Sequence, residues 1–202
     1  MCKSIEWGKI MTDLTERLDM MEAAIKKPGF RKSAGRANEV NYWLFDYPPE
    51  NELEVRERIA HLKAKNESGA DDFTLAVFDL YDIIIDFLEN KNFIEKCFDF
   101  EKKKGLERIT KAVSNSMKFN DDDSVIVQYI KDNTPDNAVV FLCGIGKCYP
   151  ILRSHKVLNN LHQAFVKAPV VMFFPGTYNE QELILFDEIK DDNYYRAFKL
   201  VK

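Results

Sequence analysis

The hexapeptide Ala138-Val139-Val140-Phe141-Leu142-Cys143 is apolar throughout, and Pro169-Val170-Val171-Met172-Phe173-Phe174 repeats the pattern. A half-solvated strand would alternate polar and apolar residues. An unbroken apolar strand belongs to a sheet covered on both faces, as in parallel sheets with helical crossovers. Two aromatic-rich runs, Tyr42-Trp43-Leu44-Phe45 and Phe73-Thr74-Leu75-Ala76-Val77-Phe78, add two more strands. Leu183–Phe186 and Tyr195–Val201 are weaker candidates.

Helical patterns separate these runs. Ile5, Met11, Leu14, Leu18, Met21 and Ile25 recur at three- and four-residue steps and predict an amphipathic helix over 5–26. Glu50–Lys65 reads as a helix with acids in its first turn and with Leu53, Ile59 and Leu62 facing inward. The run Ile83–Asn90 follows the second strand. Two short helices parted near Gly105, and a third over Asp122–Lys131, make 92–135 a helical insertion. A helix is placed at Pro150–Val166, with Ile151, Leu158, Leu161 and Phe165 as its buried stripe. The fold class is therefore α/β, a mainly parallel sheet flanked by helices, in a single domain over 1–202.

Composition narrows the class. A net charge of −4, from 33 acidic and 29 basic residues, argues against broad nucleic-acid affinity. The one local exception is the stretch holding Lys26, Lys27, Arg31, Lys32 and Arg36 without an acid, broken by Pro28, Gly29 and Gly35. It reads as a basic loop, either a solvated connection or a contact for phosphate or an acidic partner. There is no apolar run of signal-peptide or membrane-span length, so a cytoplasmic protein is expected. Cys2, Cys97, Cys143 and Cys148 lack the spacing of a zinc framework, even with His155 added, and read as reduced thiols.

In open parallel sheets ligands gather beyond the carboxyl ends of the strands. Asp46, Asp79 and the turn Gly144-Ile145-Gly146-Lys147 lie at such ends. The turn suggests a phosphate cradle, but a P-loop needs G-x-x-x-x-G-K-[ST], and here Phe141 and Cys148 stand at the first glycine and hydroxyl positions. Tyr149 likewise breaks G-x-G-x-x-G. The glycines then provide a tight turn and close packing, and a degenerate nucleotide or phosphate site involving Gly144, Gly146, Arg153 and His155 is the alternative reading. Arg153, Ser154, His155, Asn159 and Asn160 form either a polar ligand or partner surface or a set of caps and loop bonds. Asp79 with Asp82 reads as a helix N-cap and its N3 acid, and Asp46 before Tyr47-Pro48-Pro49 as a turn former, rather than as metal ligands. No catalytic residue, metal site or cofactor is assigned.

Four blocks of the chain carry a resemblance. They are Asn38–Tyr47 with Glu52–Arg56; Gly144-Ile145-Gly146 with Tyr149–His155 and Leu158–Leu161; Pro169–Tyr178; and Asp192–Phe198. In this order they resemble the BrxB proteins of bacterial BREX phage-defence operons, over essentially the whole chain from about residue 5. The resemblance implies a small non-enzymatic accessory subunit encoded beside a large ATPase, a methyltransferase and the phosphatase-superfamily protein PglZ. It implies PglZ, and other BREX subunits, as partners. Lys147 and Cys148 lie outside the signature, and the family supplies no catalytic residues to carry over.

Overall fold

The computed structural model describes residues 7–32, 42–119, 124–179, 181–191 and 197–201. Its elements follow the chain as α1 (Trp7–Ile25), α2 (Pro28–Lys32), β1 (Tyr42–Tyr47), α3 (Glu52–Glu67), β2 (Thr74–Asp79), α4 (Leu80–Asn90), α5 (Ile94–Lys104), α6 (Leu106–Ser116) and α7 (Val125–Asn133). Then come β3 (Ala138–Cys143), α8 (Ile145–Cys148), α9 (Ser154–Ala164), β4 (Val170–Tyr178), β5 (Leu183–Leu185), β6 (Ile189–Asp191) and β7 (Phe198–Lys199).

The sheet runs β2-β3-β4-β1-β7, with every pair on this path parallel, while β5 and β6 extend it antiparallel from β4. From β1 the chain crosses to the far edge through α3, then returns strand by strand. A shared crossover hand requires the outgoing and returning helices to lie on opposite faces, and they do. Phe45, Val139, Phe141, Val171 and Phe173 pack on α1 and α3, whereas Leu44, Val140, Leu142, Met172 and Phe174 pack on α4, α7 and α9. Phe141 and Phe173 meet edge to face at 4.9 Å, inside the first of these layers. Burial on both faces is what the unbroken apolar strands demand.

Several local expectations need correction. In α3 the buried positions are Val55, Ile59 and Leu62, while Leu53 is 68% exposed. A 3-10 turn over Pro49–Asn51 delays the helix, so Leu53 falls in its first turn on the solvent side. Asp46 is no turn former: it is the buried fifth residue of β1, and the strand continues to Tyr47. The segment 28–32 is helical rather than loop. The helix expected from Pro150 begins at Ser154, because 149–153 forms a turn after a cis Tyr149–Pro150 bond, in which Leu152 is nevertheless buried. Asp122, expected as the start of the third insertion helix, lies outside the described residues, and Ser124 caps α7 through Val127 N.

At its carboxyl end β4 overruns β1. Opposite Tyr47 the register slips so that one residue faces both Pro175 and Gly176. Gly176 has φ +141°, and a Cβ there would lie 2.1 Å from the Ile184 carbonyl oxygen, so the close approach of β5 needs a glycine. On the far edge, two outward backbone groups at the start of β2 are bonded to a side-chain amide. Asn66 Nδ2 donates to Phe73 O at 2.8 Å, and Leu75 N donates to Asn66 Oδ1 at 2.7 Å. Among the described residues no helix is long and apolar enough to cross a membrane.

Candidate functional site

The switch in strand order beside β1 is where a doubly wound sheet opens its ligand crevice. Here protein fills it. Beyond β1, β4 runs on to Tyr178, whose N–H donates to Asp46 Oδ2 at 3.1 Å. The same carboxylate binds Lys199 Nζ at 2.7 Å and Arg17 Nη2 at 2.7 Å. The Arg17 guanidinium also lies 5.1 Å from the centre of the Phe45 ring. Asp46 thus ties α1, β1, β4 and β7 together.

The Gly144–Lys147 turn at the end of β3 is closed in the same way. Gly144 has φ +79°, and a Cβ there would stand 2.2 Å from Asp79 Oδ1. Asp79 caps α4, accepting from Tyr81 N at 3.0 Å and Asp82 N at 3.4 Å. Its other carboxylate oxygen is in close contact with Lys147 Nζ, which also lies 3.7 Å from Asp82 and 5.4 Å from the centre of the Tyr81 ring. Partial burial works against the Lys147 charge, but the hydrogen bond and charge of Asp79 raise its pKa above the ordinary lysine value. The hollow a phosphate would take is occupied by the chain's own carboxylate. A Cβ on Gly146 would press on Phe186 at 2.9 Å and Pro175 at 3.1 Å, so this glycine serves contact with the β4–β5 hairpin.

The other candidate residues do not share one surface. Ser154 is buried, Asn159 is exposed, and Asn160 Nδ2 donates to Phe119 O at 3.1 Å across to the loop after α6. His155 is half-buried in the first turn of α9. Arg153, at the N-cap of α9, is exposed and enters a cleft. In the 26–36 stretch, Lys26 binds Glu22 at 2.9 Å and Asp71 at 3.1 Å, and Arg31 binds Asp72 at 2.9 Å above the Phe73 ring. These two cations are structural clamps, Lys27 is exposed, Lys32 ends α2, and Arg36 lies outside the described residues. Cys143 and Cys148 have their thiol pKa pushed up to about 12, first by burial and then by the negative charge of Asp79. No group of three potential metal ligands occurs among the described residues.

The cleft that Arg153 enters measures about 690 Å³ and lies between α6 and the turn leading into α9. Thr110, Lys111, Ser114 and Asn115 form one wall, and Pro150, Ile151, Arg153 and Lys156 the other. Its acid, Glu107, is already held by Lys111 at 2.7 Å. The sequence reading missed this pairing of the insertion with the second signature block. The signal available to it was the exposed amphipathic pattern of 106–116, whose apolar side buries only Val113.

A protein-family model described as BREX protein BrxB matches residues 76–200. The chain is 45% identical to the BREX protein BrxB of Bacillus cereus (strain H3081.97), covering 95% of this chain and 99% of that relative. It is 32% identical to the BREX protein BrxB of Escherichia coli O9:H4 (strain HS), over 93% of this chain and 92% of the relative. No solved structure matches.

Proposed function

The chain belongs to the BrxB family of BREX proteins, and we propose that it is a non-enzymatic accessory subunit of a cytoplasmic BREX phage-defence assembly. Its role in this reading is to hold the PglZ-type component, and with it other BREX subunits. One observation carries the non-enzymatic part. At the carboxyl edge of the sheet Lys147 is engaged by Asp79, and Arg17 and Lys199 are both engaged by Asp46. Catalytic groups are poised toward a substrate, with pKa values tuned to proton transfer. A lysine raised further by its own carboxylate, beside thiols pushed up to about 12, is set for the opposite.

The test is a pull-down of the tagged protein expressed from its intact operon, with the eluate identified by mass spectrometry. Stoichiometric recovery of the PglZ-type protein supports the reading. A solitary protein at low salt, where charged contacts are strongest, sinks it.

A further inference from the structure

The insertion helices are poorly anchored for their length. No residue of α5 is buried, and α6 buries only Val113. Helices of 11 residues gain most of their stability from packing an apolar face; this hairpin meets the core through Val113 and the partly buried Ile94, Cys97 and Ile109 and leaves the rest of its surface outward. On α6, Leu106 is 61% exposed at the mouth of the cleft, where Pro150 and Ile151 supply the rest of an apolar floor. Around that floor stand three cations, Lys111, Arg153 and Lys156, against one acid, in a chain whose net charge is −4. The Lys111–Glu107 pair is a solvent-exposed i,i+4 contact, weak and easily exchanged for an incoming carboxylate.

We propose that the cleft between α6 and the Pro150–Lys156 turn receives an acidic peptide segment of a partner subunit, with an apolar side chain seated on Leu106, Pro150 and Ile151. This rests on the accessory-subunit reading and locates its docking face. Charge complementarity selects the occupant: carboxylates flanking an apolar residue match cations flanking an apolar floor. The volume suits a few side chains, within the ~300–1,000 Å³ of ordinary binding clefts. A nucleic acid fits less well, since a polyanion running beyond the cleft meets the net negative remainder of the molecule.

The experiment uses the whole operon, with the tagged chain carrying a photo-crosslinking benzoylphenylalanine at Asn115 in the cleft wall or at Glu57 on α3 as control. Crosslinks from Asn115, but not Glu57, to a stretch of another operon-encoded subunit with carboxylates around an apolar residue support the proposal. So does a loss of about tenfold in capture of that subunit by the K111E/R153E/K156E variant, with a smaller loss for K111Q/R153Q and unchanged melting of both. Crosslinks to nucleic acid, crosslinks to a segment without acidic excess, or wild-type capture by the triple variant overturn it. If the unmodified chain captures subunits and the triple variant does equally, only the cleft assignment falls. If the unmodified chain captures none, the accessory-subunit reading falls first.

Discussion

Asp46 Oδ2 accepts a hydrogen bond from Lys199 Nζ at 2.7 Å, although the two residues are 153 positions apart. The contact locks the last strand of the chain to the first. Because Arg17 shares the carboxylate at 2.7 Å, a single buried acid pairs with cations from both ends of the described chain.

The Asp46→Asn variant is expected to lose ~3 kcal/mol of stability, since it strands two partly buried cations without changing side-chain shape. Urea denaturation should show a lowered midpoint with an unchanged slope. A loss below about 1 kcal/mol would mean that the lysine and arginine find solvent instead, and that the tie is dispensable.

Gly144→Ala should destabilise the fold by ~2–3 kcal/mol, from ~1–2 kcal/mol for a left-handed non-glycine residue plus the collision with Asp79. In a double-mutant cycle with Asp79→Ala the two costs should fall short of additivity, because removing the carboxylate removes the collision. Strict additivity in thermal or urea melts would show that the Asp79 side chain swings aside.

Stability should depend on Glu22 in acid. Burial alone would raise its pKa, but hydrogen bonds and charge from Lys65 and Lys26 outweigh this and hold it at about 2 against an ordinary 4.5. The folded state therefore gains from Glu22 above about pH 4.5, and the gain is lost as pH falls from there through about 2. Allowing for solvent screening, the amount is about 1 kcal/mol. Between pH 5 and 2, denaturation midpoints of Glu22→Gln should decline less than those of the wild type; parallel declines would refute the assignment.

Millimolar ATP, with or without magnesium, should leave the melting temperature unchanged, because Asp79 fills the hollow behind Gly144. Occupancy at a hundred times the dissociation constant would add ~2.7 kcal/mol, an easily seen shift. A shift abolished by Lys147→Ala would revive the phosphate reading.

What could be read from the sequence was whatever local pattern controls. The strand at 138–143 matches its expectation residue for residue, because burial on both faces leaves no ambiguity of period. The Asp79 cap was equally legible, since a cap is decided within three residues. The Pro150 helix failed because Ile151 and Leu152 mimic helical spacing while serving a turn. The place of Asp46 was invisible, as its partners Arg17, Tyr178 and Lys199 stand 29, 132 and 153 residues away. For the same reason the cleft could not be foreseen: its walls, 106–115 and 150–156, meet only in the fold.

The Asn66 amide on the outer edge of β2 has a bearing on how such a protein keeps company. An unpaired edge is a template for intermolecular strand addition, the route to open-ended polymers. By presenting one donor and one acceptor at strand spacing, Asn66 stands in for the absent neighbour. The opposite margin ends in β7, only two residues long. With these two margins blunted, strand addition there is disfavoured, and contact with other proteins falls to side chains on the helices.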